Sequence, residues 1–130
     1  MDGEALLRKL QIKPGARVTL IGAPAEVEAA LEGAIAPAEP GQACDAALAF
    51  CTSPADVAAF APQALTGLIE DGVLWFAFRK GAAGKTSGLG RDVGWGPLER
   101  LGYRPVRAIA FDDDWSGLRF RETVRVKPRG

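Results

Sequence analysis

DGVLWFAFRKGAAGKTSGLGRD, residues 71–92, is the stretch on which the fold turns. Val73 to Phe78 is an unbroken apolar run with aromatic rings at Trp75, Phe76 and Phe78, and Asp71-Gly72 stands before it as a turn signal. A short run of this kind, without polar alternation, predicts a strand covered on both faces. Its continuation changes character. Between Arg79 and Arg91 stand four cations (Arg79, Lys80, Lys85, Arg91) and no acid, and six glycines fall between Gly81 and Gly96. Glycine lets backbone amides approach a ligand, and amides with lysines are what an anion site needs. The segment reads as a strand opening into a basic, glycine-rich loop over 79–91, either a candidate anion site or a solvated connector.

Length and composition set the frame for that strand. The 130 residues suit one domain, 1–130, with one core. Formal net charge is zero, so no overall field draws the chain to nucleic acid or to a membrane, and neither is expected as a partner. The charge is nonetheless divided. Residues 1–71 hold 4 Lys/Arg against 10 Asp/Glu, and residues 72–130 hold 12 against 6. Such asymmetry places acidic and basic faces on one molecule and is compatible with a homodimer. No apolar stretch reaches the ~18 residues of a membrane span. The acidic start Met1-Asp2-Gly3-Glu4 lacks the plan of a signal peptide, so a cytoplasmic location is expected. Cys44 and Cys51 flank a predicted strand, which sets them ~20 Å apart and rules out a bond between them. Histidine is absent, which removes the commonest general base, the usual zinc ligand and any Ser-His-Asp triad.

Working outward, Leu6, Leu7 and Leu10 predict a short amphipathic helix over 4–11, ahead of the turn Lys13-Pro14-Gly15. Arg17 to Ile21 predicts the first strand, ended by Gly22. Pro24 then suits the first position of a helix with Val27, Ala30 and Leu31 on its buried stripe, ended by Gly33. Ala34 to Ala36 allows at most a stunted strand. Asp45 to Cys51 is the next clear strand, and Ser53-Pro54-Ala55-Asp56 is a capped helix start, with Asp56 returning a bond to the cap. Pro62 predicts a kink or a break in that helix. Downstream, Trp95, Leu98 and Leu101 predict a helix within 93–101, and Val106 to Phe111 a strand. Leu118 to Val126 alternates, with Arg119, Arg121, Thr123 and Arg125 on one side, as an antiparallel hairpin partner does. A short basic tail, Lys127 to Gly130, follows.

Strands alternating with helices imply a parallel sheet with right-handed crossovers. The expected fold is α/β: a single-domain, shortened, methyltransferase-like Rossmann fold, mostly parallel, with a C-terminal antiparallel hairpin. The opening Pro14-Gly15-Ala16-Arg17-Val18, with its strand ending at Gly22, resembles that of Rossmann-like methyltransferases, as do the strands started by Asp45 and by Asp71-Gly72-Val73-Leu74. The chain also resembles a family of small bacterial proteins with a methyltransferase-like Rossmann fold and no assigned activity. Gly22-Ala23-Pro24, Leu74-Trp75, Lys85-Thr86 followed by Arg91-Asp92, and Asp112-Asp113-Asp114-Trp115-Ser116-Gly117-Leu118-Arg119-Phe120 carry that resemblance. It implies the fold and no reaction.

Ligands of such sheets sit outside the carboxyl ends of the strands. The methyltransferase resemblance implies S-adenosylmethionine there, held by a glycine turn after the first strand and an acid after the second. Here Ala23 and Pro24 occupy the turn, and a proline removes an amide where close approach is needed. Glu39, in a proline-rich loop, is a poor acid for the purpose, so no cofactor is expected. Gly84-Lys85-Thr86 matches the end of a P-loop, but Arg79 stands where its first glycine should. Asp112, Asp113 and Asp114 read as an ion-pairing turn, with Arg119 as the expected partner, rather than as a metal site. Cys51 reads as a small core residue. Of the tryptophans, Trp115, in a turn among acids, is the one placed to cover a ligand or partner. The candidate ligand-binding residues are Lys80, Lys85, Thr86, Ser87, Arg91, Asp112, Trp115, Ser116 and Arg119, for a small anionic ligand, with no catalytic residue assigned. A non-catalytic binding or regulatory module is the expected role. The alternative is a small-molecule enzyme or binder that holds phosphate or carboxylate with the 79–91 loop.

Overall fold

The computed structural model describes residues 2–39 and 41–126, without the side chains of Ala82, Ala83 and Lys85. Pro40 and the tail Lys127 to Gly130 lie outside the described residues. Six strands form one sheet in the order β2-β1-β3-β4-β6-β5. β1 (Arg17–Ile21) pairs in parallel with β2 (Ala36–Pro37) and β3 (Cys44–Phe50), and β3 with β4 (Leu68–Arg79). β6 (Trp115–Glu122) runs antiparallel between β4 and β5 (Tyr103–Ala110). The expected α/β class, the parallel majority and the inserted antiparallel strand are all present.

The apolar runs sort onto two faces. On the first face, α1 (Gly3–Leu10) and α2 (Ala25–Leu31) bury Leu6, Leu7, Leu10, Val27 and Leu31 against Val18, Leu48, Phe50 and Trp75. On the second, α3 (Pro54–Leu65) and α5 (Gly96–Arg100) bury Val57, Ala61 and Leu98 against Leu74, Phe76, Leu118 and Phe120. Trp75 lies wholly inside, and its indole N–H donates to the Leu10 carbonyl at 2.9 Å, tying α1 to the middle of the sheet.

Several expectations need correction. Residues 81–87 are not loop: α4 (Gly81–Ser87) is helical, closed by Gly88 in the left-handed region. Gly84 fits there because a Cβ would meet the Arg79 carbonyl oxygen at close range. α3 runs through Pro62 without interruption; both Pro62 and Ala58, whose carbonyl loses its helical donor, face solvent, where water can take that bond. Its cap works as expected at Ser53, whose Oγ accepts from the Asp56 amide, but Asp56 returns to Thr52 instead, accepting from its amide and hydroxyl. The helix expected over 93–101 shrinks to Gly96–Arg100. The last strand ends at Glu122, and Thr123–Arg125 turn into a short 3-10 helix.

Asp71-Gly72 is the instructive miss. It lies inside the span of β4, where the pairing with β3 jumps from Cys44–Leu68 to Ala46–Val73. Asp71 takes a φ of +54°, and its carboxylate accepts two bonds from Arg121, at 2.8 and 2.7 Å. Arg125 reaches Glu70 at 2.7 Å alongside. Bonding to Arg121, before any charge effect, lowers the Asp71 pKa below the ordinary carboxylate value.

Two expectations follow for stability. Trp75→Phe removes the indole N–H that the Leu10 carbonyl accepts and leaves a cavity in the core, so urea unfolding should show a loss of about 2–4 kcal/mol. A carboxylate whose folded pKa is depressed stabilises above its unfolded pKa and loses that contribution as pH falls through the folded one. The melting temperature of Asp71→Asn should therefore fall below that of the parent at pH 7, and the gap should close below about pH 4.

Candidate functional site

The carboxyl ends of the parallel strands gather Gly22-Ala23-Pro24, Cys51-Thr52-Ser53 and Arg79-Lys80, with residues 111–114 beside them. Several of their polar groups are engaged with one another. Thr52 is bound to Asp56, and Ser53 caps α3. The Lys80 ammonium donates to the Asp112 carbonyl at 2.6 Å, and the Lys80 amide to the Asp114 carbonyl at 2.9 Å. The Asp112 carboxylate accepts from the Asp114 and Trp115 amides, both at 2.8 Å, folding the three acids into a turn. Lys80 and Asp112, both candidates for the site, thus meet in a contact that builds the edge.

Other candidates are scattered. Ser87 turns back on its own helix, its hydroxyl donating to the Gly84 carbonyl at 2.7 Å. Thr86 is exposed. The side chain of Lys85 lies outside the described residues. Arg91 and Ser116 do come together, lining a cleft of about 220 Å³ with Phe78, Ala108, Ile109 and Ala110 on the second face. Trp115 is not free to cover a ligand. It is 7% exposed, packs edge-on to Phe50 at 5.3 Å, and carries the Arg79 guanidinium over its ring at 5.1 Å. Arg119 does not pair with Asp112, Asp113 or Asp114. Its Nη1 donates to the Gln11 carboxamide at 2.7 Å, across the first face from the acids' turn.

The hairpin arginine that does pair is Arg121, with Asp71, a contact hidden from sequence reading by the excursion in β4. Cys44 and Cys51 are both buried free thiols. Burial, then the Asp56 charge, pushes Cys51 up to about 12, which leaves it a packing residue. Among the described residues, no three acids or cysteines gather as a metal-ligand set, and no helix is long and apolar enough to cross a membrane.

The turn after β1 is the place to test a nucleoside cofactor. Gly22 takes a φ of +66°, and a Cβ there would lie 3.0 Å from the Phe50 carbonyl oxygen and 3.4 Å from the Phe60 ring. That ring, from α3, sits against the turn. Pro24, with no amide to offer, caps α2 directly. Glu39, two residues past β2, is exposed, and its amide donates to Gln42. A ring and a proline stand where amides would have to meet a ligand, and these residues do not fit S-adenosylmethionine. A cleft of about 780 Å³ lies beside this turn, lined by Leu20, Ala25, Glu28, Pro37 and Ala38.

No protein-family model matches the chain, and no curated protein matches its sequence. Solved structures do match its fold. Fibrillarin, the pre-rRNA processing protein of Methanococcus jannaschii, superposes with a TM-score of 0.58 at 13% identity, over 85% of this chain and 68% of its own. A SAM-dependent methyltransferase from Aquifex aeolicus gives 0.57 at 15% identity, over 93% and 89%. The N-methyltransferase NodS from Bradyrhizobium japonicum gives 0.56 at 13%, over 92% and 93%. The fold is therefore methyltransferase-like, and at these identities the likeness concerns the fold alone.

The buried thiols give a direct check. In the native protein at pH 8, Cys51 should resist alkylation by iodoacetamide and react only in denaturant, as mass spectrometry of the labelled peptides would show.

Proposed function

We propose that this chain is a non-catalytic binding or regulatory module built on a methyltransferase-like scaffold, and that it belongs with the small bacterial proteins of that fold whose motifs it resembles. One observation carries the reading: the first turn of the sheet holds Phe60 and Pro24 where a cofactor would need open backbone. NodS was solved with S-adenosyl-l-homocysteine and Aeropyrum pernix fibrillarin with S-adenosyl-L-methionine, so the fold elsewhere carries that cofactor. Here Thr52, Ser53, Lys80 and Asp112, at the same edge of the sheet, are engaged with neighbouring groups of the chain. The expected outcome of calorimetric titration with S-adenosylmethionine and S-adenosylhomocysteine is no saturable binding below about 100 µM. Low-micromolar affinity for either would overturn the proposal.

A second reading, a small-molecule enzyme or binder holding phosphate or carboxylate with residues 79–91, keeps support from Arg91 and Ser116, which share a cleft. Lys80 would first have to give up the Asp112 carbonyl. Movement of the amide resonances of residues 79–91 in millimolar phosphate would favour this reading.

A further inference from the structure

The hairpin holds an arrangement that the fold alone does not require. On β6, Arg119 and Arg121 are two residues apart and share the first face of the sheet. Directly opposite them on β5 stand Arg107 and Arg104. Arg107 stands three positions beyond Arg104, a spacing that would place them on opposite faces of a regular strand. The register shift between Pro105 and Arg107 absorbs Val106 and returns Arg107 to the face of Arg104. A bulge thus completes a two-by-two array of guanidinium groups.

Like charges directly opposite one another destabilise a sheet, and here two such pairs lie side by side. The compensation is partial. Asp71 binds Arg121, and the neutral Gln11 side chain binds Arg119. The Arg119 Nε is buried without a partner. Burial, then the nearby Arg121 charge, lowers the Arg119 pKa, with Asp71 opposing and Arg107 adding to the effect. Arg104 and Arg107 are exposed and have no hydrogen bond or ion pair among the described residues. α1 reaches this face through Lys9 and Gln11, while α5 packs on β5 from the other side.

We propose that Arg104, Arg107, Arg119 and Arg121 bind a compact polyanion, a small molecule carrying two neighbouring phosphate groups. Arg104 and Arg107 present planar forks that fit phosphate oxygens in pairs, while Arg119 and Arg121, held by Gln11 and Asp71, add positive charge behind them. Strands ~4.8 Å apart set the two positive charges of each row beside one phosphate group. An extended nucleic acid suits the patch less well. The chain has no net charge to draw one in, and Asp71 and Glu70 bound the patch beside Arg121 and Arg125. The site lies toward the amino ends of the parallel strands, opposite Trp75 and beside Asp71, so it stands or falls independently of the cofactor question.

The test is titration of the whole chain with sodium pyrophosphate, followed by the arginine Nε–H resonances in NMR, with orthophosphate and a short single-stranded oligonucleotide as competitors. Pyrophosphate should bind with a sub-millimolar Kd, more tightly than orthophosphate, and severalfold more weakly at about 150 mM than at about 50 mM NaCl. Arg107→Gln should weaken binding at least ~5-fold while raising the ligand-free melting temperature by about 1–3 °C, through relief of the Arg119 pair. Arg107 is exposed, so this variant should fold even if Arg119→Gln does not. Arg100→Gln, on α5, should change neither quantity. Resonances that stay still at ~10 mM pyrophosphate, or an Arg107→Gln variant that binds as the parent does, would overturn the assignment. So would an oligonucleotide that displaces pyrophosphate at a lower phosphate concentration.

Discussion

Four residues, Phe111 to Asp114, join β5 to β6. A parallel return needs a crossover of roughly a dozen residues or more, so β6 must run back antiparallel. Much of the second half of the molecule follows from that constraint. β6 slots between β4 and β5, and its pleat sends Leu118 and Phe120 to the second face and Trp115, Gly117, Arg119 and Arg121 to the first. Gly117 has no side chain because a Cβ there would run into the Phe111 ring. The same pleat carries Trp115 onto Phe50 and Arg121 to Asp71.

At the carboxyl edge of the sheet several polar groups bind one another. Thr52, Ser53 and Asp56 close one helix start, and Lys80 and Asp112 close the neighbouring loop. Each bond stabilises the scaffold and removes a group from solvent-facing chemistry. The likeness to methyltransferases lies in the fold.

Strands were legible in the sequence where apolar runs were unbroken. β1 has the span read from Arg17 to Ile21, and Trp75 and Phe76 are buried on both faces as their run required. α4 was illegible because its glycines oppose helix; Gly84 is required there by the close approach of the Arg79 carbonyl just upstream. Asp71-Gly72 carries the residue signature of a turn, and no local signal distinguishes a turn before a strand from an excursion within one. Of the candidate site, the Lys80–Asp112 meeting was legible as a place but not as a bond, since the acceptor is a main-chain carbonyl. Trp115 was misjudged because its neighbours in sequence are acids, whereas its neighbours across the pleat are Phe50 and Arg79.

The bulge at Val106 has a second effect, on encounters between copies of the chain. β5 is an outer strand, with one side of its backbone left unpaired by the sheet, and such a border is a template for another strand. The β5 ladder is interrupted at the bulge, and Arg104 and Arg107 are exposed charges on it, both features that blunt a strand border against pairing. The chain therefore discourages the growth of its own sheet beyond six strands, with the same residues that gather positive charge on its face.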